Sequence, residues 1–292
     1  MLAAFSTVAS LSVLLSATGS IGVREAAWEK VFELGGNDRW ISSVRAVGPD
    51  DWFVAGDWGV TRISKANVER RETPGTPILG LFLDGPTSMS AVGARELVLH
   101  FDGKAWTEEH LASQPRKKAS RAEDELVAAF RLEGQGSSSI VAFGPHLALM
   151  RQPDATWANR SEAERYRLWS LGSMGPPNIA RPPRCVPGAW FWLSGPSAWF
   201  TCQDGRAFTF QAGHVAPQGT QPRECRTLTA VASAQDQTYI VCANGTLWKT
   251  LGVSWQAVTP PKVKDTDYAS ISIVEHCVFL AGRRTVWRTC TR

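Results

Sequence analysis

The sequence predicts an all-β chain built from one four-stranded unit repeated along the polypeptide, and three observations carry that prediction. Short apolar runs, each ending in a Gly or polar turn, recur at even intervals. A turn followed by a tryptophan recurs between them. The composition is that of many short elements, with 25 Gly and 17 Pro among 292 residues that are 43% hydrophobic, a profile of strands punctuated by turns rather than of long helices. Thirteen Trp against three Tyr is a marked skew.

The apolar runs align as DDWFVAGDWG (50–59), TSMSAVGARE (87–96), SSSIVAFGPH (137–146), GAWFWLSGPS (188–197), QTYIVCANGT (237–246) and HCVFLAGRRT (276–285). Each is followed at once by a second short strand: VTRIS (60–64), LVLHF (97–101), LALMR (147–151), AWFTC (198–202), LWKTL (247–251) and VWRTC (286–290). The last three share an apolar-Trp-x-Thr core. A strand precedes each pair, at 41–48, 78–85, 126–134, a poorly marked 166–175, 228–234 and 269–276. A fourth follows, at 68–73, 106–111, 157–160, 210–215 and 255–258. Four strands per unit, at roughly 40 to 55 residues, is the signature of a β-propeller blade. The prediction is therefore one propeller of six blades, or of seven if the segment around 166–187 hides a further hairpin.

The sixth unit lacks its fourth strand. Trp28-Glu29-Lys30-Val31 resembles Trp255-Gln256-Ala257-Val258 and stands ahead of the first unit without a partner. Pairing it with 285–290 would complete the last blade from the N-terminal side and leave no sheet edge open there. GAWFWLS is apolar at consecutive positions, as expected of a strand buried on both faces, so Trp190, Trp192 and Trp199 are assigned to the core.

The turn motif is clearest at HFDGKAW (100–106) and recurs at QPDATW (152–157) and LGVSW (251–255). Gly103 accepts positive φ, Asp102 can bond nearby backbone amides, and Trp106 offers a large apolar face to the neighbouring blade. The motif is thus placed between the third and fourth strands. The D-G-x-x-W of Asp102 to Trp106, with VGPDDWFVAGDWG (47–59) upstream, resembles the degenerate Asp-box (BNR-like) repeats of secreted bacterial β-propellers, similar to photosystem II assembly-factor-like and sialidase-like propellers. The resemblance implies a propeller fold and export, without an activity. A full Asp box carries a Ser or Thr and an extra residue between Asp and Gly, which this sequence lacks.

Residues 2–23 contain no charged side chain, and Ala17-Thr18-Gly19 offers small residues for cleavage. This segment is expected to be a signal peptide or N-terminal anchor, followed by a propeller domain at 24–292, in a secreted or periplasmic protein that residues 2–23 could tether to a membrane. An uncleaved buried helix is the remaining alternative. All six Cys fall in the second half, at 185, 202, 225, 242, 277 and 290. An even count in an exported chain suggests disulfides. Cys277 and Cys290 flank a Gly282-Arg283-Arg284 turn and would lie nearly opposite in a hairpin. The 185–202 and 225–242 spacings are equal, which suggests equivalent hairpins, but the simplest registers leave those cysteines several residues out of step, so buried thiols stay open as their alternative.

A formal charge of +4 is short of a dedicated nucleic-acid binder, so no nucleic-acid partner is expected. The five His show no metal-ligand spacing, and neither a phosphate loop nor a G-x-S-x-G elbow is present; no metal, cofactor or catalytic residue is assigned. The loops joining strand two to strand three offer Asp57, Trp58, Arg95, His146, Asn244, Arg283 and Arg284. Those joining blades include QPRKKASRAEDE (114–125), with Arg116, Lys117 and Lys118. Together they predict a basic face that could hold a protein segment or an anionic glycan, with Asp102 on the opposite face. A non-catalytic binding or interaction propeller is the preferred reading. The alternatives are a glycoside hydrolase of sialidase type, for which Tyr166, Tyr239 and Tyr268 are the only tyrosine nucleophiles, and a structural or assembly-factor scaffold.

Overall fold

A computed structural model describes residues 27–36, 39–65, 67–83, 87–109, 126, 128–134, 137–143, 148–152, 156–159, 182, 184–193, 197–211, 214–234, 237–251, 253–261 and 268–291. Within them every regular element is a strand, and the strands form six four-stranded antiparallel sheets. The first holds β2 (Ile41–Gly48), β3 (Asp51–Gly56), β4 (Gly59–Ser64) and β5 (Val68–Glu72). The second holds β6 (Ile78–Leu83), β7 (Met89–Gly93), β8 (Val98–Phe101) and β9 (Trp106–Glu109). The third holds β10 (Ala128–Gly134), β11 (Ser137–Phe143), β12 (Ala148–Arg151) and β13 (Trp157–Asn159). The fourth runs β14 (Pro187–Trp192), β15 (Ala198–Cys202), β16 (Arg206–Gln211) and β17 (His214–Thr220), and the fifth β18 (Leu228–Ala234), β19 (Gln237–Cys242), β20 (Leu247–Leu251) and β21 (Ser254–Val258). The sixth is composite: β22 (Ser270–Val274), β23 (Cys277–Ala281) and β24 (Thr285–Cys290) take β1 (Glu29–Glu33) as their fourth strand.

Closure follows the expected pairing. Lys30 lies opposite Trp287 and Phe32 opposite Val286, with a bulge between. Arg288 then reaches Glu29 at 3.0 Å, Asp50 at 3.1 Å and the Pro49 carbonyl at 2.9 Å, tying the composite sheet to the first one. The first strands of neighbouring sheets touch one another, β22 with β2, β2 with β6, β6 with β10, and β14 with β18 and β18 with β22. They form the inner wall. An inner strand has ladder partners on one side only, and its other polar groups need different ones. The N–H groups of Val44 and Ala46 on β2 donate to the Ser270 and Ser272 hydroxyls of β22, at 3.2 and 3.0 Å, and the Ser42 hydroxyl donates to the Ile78 carbonyl of β6 at 2.8 Å.

The recurring tryptophan explains how the sheets stack. Trp106 meets Phe53 of the preceding sheet edge-on, with ring centroids 5.8 Å apart. Trp157, 1% exposed, donates its indole N–H to Glu109 of the preceding sheet at 2.6 Å. Trp255 packs edge-on against Trp199 of the preceding sheet at 6.4 Å. Trp28, which leads into β1, donates to the Thr259 carbonyl at 2.9 Å and packs on the cluster that holds Val258. In each case the tryptophan at the head of a fourth strand is a wedge against the sheet before it.

The fourth sheet departs from the sequence expectation. GAWFWLS was expected as a second strand and AWFTC as a third, with 210–215 as a fourth. The structure makes them β14 and β15, the first and second strands, while Phe210 and Gln211 end β16 and His214 and Val215 begin β17. The Trp-x-Thr resemblance of AWFTC to β20 and β24 is what misleads. Asp204-Gly205 is the turn after the second strand, matching Asn244-Gly245 in the fifth sheet. Both glycines have positive φ, +85° and +78°, and both donate N–H to the cysteine carbonyl three residues back at 2.9 Å. The seven-bladed alternative turns on residues 160–181, which lie outside the described residues.

That register resolves the cysteines. Cys185 is bonded to Cys202 and Cys225 to Cys242, so each bond joins the end of a second strand to the connector leading into its own sheet. The two are equivalent, as their equal spacing suggests, and each is bonded although the simplest registers leave its cysteines out of step. Cys277 and Cys290 face each other across β23 and β24 and are bonded, as expected from their hairpin. Trp199 is fully buried, and Trp106 is half-buried against Phe53 and Phe101.

Two outcomes follow for stability. Trp157→Ala removes a wedge and leaves Glu109 with a broken network, so urea denaturation should show a loss of about 3–5 kcal/mol. Replacing Cys225 and Cys242 together by Ser should cost about 3 kcal/mol, the loop-entropy value for a crosslink of this span, with Cys185 and Cys202 behaving alike.

Candidate functional site: the loop face

Antiparallel order places all the turns between second and third strands, together with the connectors between sheets, at one end of the ring. Backbone hydrogen bonds lock the two sets together. The residue after the second strand donates to the residue before the first strand in four sheets: Asp57 to Trp40 (3.3 Å), Ala94 to Pro77 (3.1 Å), Gln203 to Val186 (2.8 Å) and Ala243 to Thr227 (2.8 Å). The disulfides Cys185–Cys202 and Cys225–Cys242 brace the same junctions. The result is a rigid rim that presents short loops.

Arginine dominates what that rim exposes. Arg39, Arg95, Arg184, Arg223, Arg226 and Arg283 are all exposed there, against the exposed acids Asp204 and Glu224 on the loops and Glu33 and Glu72 at the ends of fourth strands. None of these six arginines holds an ion pair among the described residues. The opposite end is mixed in sign, with Asp50, Asp102 and Glu275 exposed beside Lys65 and Lys104. Fixed charge of one sign gathered on one face produces a directional field toward anions.

The residues singled out from the sequence divide. Arg95 and Arg283 are exposed on the rim. Arg284 is half-buried and structural: its guanidinium donates to the Leu34 carbonyl at 3.0 Å, and its own carbonyl accepts the Leu34 N–H at 2.8 Å, clamping the turn to the closing connector. Trp58, 5% exposed, packs with the core around Trp52 and Phe32 and donates to Thr61 at 3.0 Å, so it is wall rather than ligand surface. Asp57 accepts the Trp40 N–H at 3.2 Å, and Asn244 accepts from Thr246 while donating to the Glu224 carbonyl at 3.0 Å; both hold turns in shape. Arg116, Lys117, Lys118 and His146 lie outside the described residues.

Arg39, Arg184, Arg223 and Arg226 were missed in the sequence. The signal for three of them was present: Arg184 precedes Cys185, and Arg223 and Arg226 flank Cys225. Aligning the two cysteine pairs on their Asx-Gly turns would have put those arginines in equivalent connectors.

The β7–β8 turn carries backbone strain. Arg95 and Glu96 sit at φ +56° and +59°, and the Leu97 N–H donates to the Ala94 carbonyl at 3.2 Å. Two consecutive left-handed residues closed in this way make a type I′ turn, whose preferred sequence is Asn-Gly. Non-glycine residues held there cost about 1 kcal/mol or more each. The chain keeps an arginine at a position that favours a different residue.

On the opposite face Asp102 behaves as its motif implies. Its carboxylate accepts the Ala105 and Lys104 N–H groups at 2.9 and 2.8 Å, and those bonds hold its pKa below the ordinary carboxylate value. Asp204 on the loop face is lowered for the same reason, chiefly through the Arg206 N–H. Of the tyrosines, Tyr268 is buried, donates to the Pro261 carbonyl at 3.0 Å and is pushed by burial up to about 12. Tyr239 is buried as well, and Tyr166 lies outside the described residues. Neither described phenol is presented to solvent as a nucleophile.

No family model matches this chain, and no curated protein matches it. Among solved structures it is similar to YCF48 from Cyanidioschyzon merolae, with a TM-score of 0.50 and 13% identity over 91% of this chain and 98% of that one. A structure of YCF48 bound to D1 peptide matches with a TM-score of 0.52 and 11% identity, covering 91% and 97%. The WD40 β-propeller domain of Doa1 matches with a TM-score of 0.57 at 10% identity, covering 91% and 98%. At such identities the likeness is one of fold, and the fold it establishes for this chain is that of a β-propeller.

Proposed function

We propose that the protein is an exported, non-catalytic interaction propeller whose loop face holds an acidic protein segment. The observation that carries this reading is the set of exposed arginines on the rim that hold no ion pair among the described residues, set against a mixed-sign opposite face. Arginine is the residue suited to carboxylate recognition, because its planar fork can bond both oxygens at once. The strain at Arg95 and Glu96 supports the same face, since strained turns persist where a side chain is wanted for more than folding. YCF48 bound to D1 peptide is an instance of a ring of this architecture holding a protein segment.

Export is supported by the three disulfides, which form and persist in oxidising compartments, and by the uncharged N-terminal segment 2–23. The periplasm or the cell exterior fits both. A distant relation to Asp-box propellers is supported by the Asp102 turn, where one carboxylate oxygen collects two backbone N–H groups.

The test is binding of residues 24–292 to arrays of acidic and neutral peptides and of anionic glycans, at two salt concentrations. Acidic peptides should bind in a salt-sensitive manner, and Arg95→Glu, Arg226→Glu and Arg283→Glu combined should weaken binding by about tenfold or more. Binding of glycans alone would redirect the site to carbohydrate, and binding to neither would sink the reading. A second outcome separates strain from fold: Arg95→Asn with Glu96→Gly should raise stability by about 1–2 kcal/mol in thermal or urea unfolding while weakening peptide binding.

A further inference from the structure

Arg45 lies midway along β2, on the inner wall. Its Nε donates to the Leu81 carbonyl of the adjoining inner strand β6 at 3.1 Å, so the side chain bridges two sheets at their innermost edge. It is half-buried. Phe53 lies opposite it in the β2–β3 ladder, and Arg62 lies opposite Phe53 in the next. Directly paired residues share a sheet face, so Arg45 and Arg62 stand at the two ends of one row.

The two arginines are treated differently. Arg62 makes a bidentate pair with Asp51 at 2.9 and 2.8 Å and stacks over Phe101 at 5.0 Å. Arg151, Arg206 and Arg288, also half-buried, hold Glu109, Asp204, and Glu29 with Asp50 respectively. Among the described residues Arg45 holds no carboxylate, and its one hydrogen bond there is the one to Leu81. Burial alone pushes its guanidinium below the ordinary arginine range. A cation drawn out of water without a partner is a standing cost that natural interiors remove by pairing. Arg45 keeps part of its surface exposed, on a strand whose neighbours β6 and β22 are the inner strands of the adjoining sheets.

We propose that Arg45 marks an oxyanion site in the central channel, which takes a carboxylate or phosphate group in the fork of its terminal nitrogens. The serine-lined inner wall is suited to this. Ser42, Ser270 and Ser272 are already engaged in joining inner strands, so the charge on Arg45 is left to the ligand. The site is separate from the rim and does not depend on the function proposed for it.

The test uses the full chain and three probes at equal ionic strength: acetate, inorganic phosphate and chloride. Thermal unfolding is followed as each is titrated. Acetate or phosphate should raise the Tm by about 3 °C per tenfold increase beyond its Kd, whereas chloride should not; which of the two acts identifies the class. Arg45→Met, which keeps the bulk and removes the charge, should abolish the response and melt no lower than the parent at low salt. Arg45→Lys, which keeps the charge and loses the fork, should need at least about tenfold more anion. A parent response no larger than that to chloride overturns the proposal whatever the variants do. An undiminished response in Arg45→Met or Arg45→Lys overturns it as well.

Discussion

The structure depends on a wedge: one tryptophan at the head of a fourth strand, driven against the sheet that precedes it. A four-stranded sheet of this size has two apolar faces and cannot bury either alone. Stacking around a ring buries both, provided each junction is filled by something large and flat. Trp28, Trp106, Trp157 and Trp255 do this at four junctions, by ring packing at Trp106 and Trp255 and through an indole hydrogen bond at Trp28 and Trp157. The excess of Trp over Tyr fits a wedge that works mainly by area, since the buried indole N–H groups of Trp106 and Trp255 find no partner among the described residues while those of Trp28 and Trp157 do.

From the wedge the rest follows in order. Filled junctions hold the inner strands close enough for serine hydroxyls to serve the backbone of the neighbouring strand. The inner wall fixes the ends of the hairpins, and in four sheets the connector then bonds to the turn it passes. The loop face is stiff for this reason. Its arginines are displayed on short turns and disulfide-braced connectors, so a partner of the kind proposed would meet charges already in place and lose little ordering entropy on binding.

Much of this was legible in the sequence, and what was not has definite causes. The Asp102 turn, the closing role of Trp28 to Val31 and the Cys277–Cys290 bond could be read because each is local or rests on a near-copy elsewhere in the chain. The fourth sheet was misread because consecutive aromatics in GAWFWLSGPSAWFTC satisfy either strand assignment, and the shared Trp-x-Thr pulled the register one strand along. The Asp204-Gly205 turn carried the correction, since a glycine at positive φ fixes where a hairpin must reverse. Trp58 and Arg284 were taken for surface groups because turn position alone does not reveal burial; the Trp58 ring folds back onto its own sheet, and the Arg284 guanidinium reaches a carbonyl some 250 residues earlier in the chain. The surroundings of Arg45 could not be read in advance, because the neighbours that bury it without a carboxylate among the described residues come from two sheets stacked side by side.

The composite sixth sheet has a consequence for the order of folding. Glu29 and Arg288 are 259 residues apart in sequence and adjacent in space. During synthesis the strand that completes the sixth sheet emerges first of the two and must wait for a partner made 259 residues later. Five sheets can form in succession while Thr285–Cys290 is still absent, and the sixth cannot be completed by local hairpins. The final step is therefore the slow meeting of distant segments, and until it occurs the growing ring carries an unpaired edge. A circular permutant that joins the present ends and opens a connector between two other sheets would make β24 and β1 neighbours in sequence. The same fold would then close by a local hairpin.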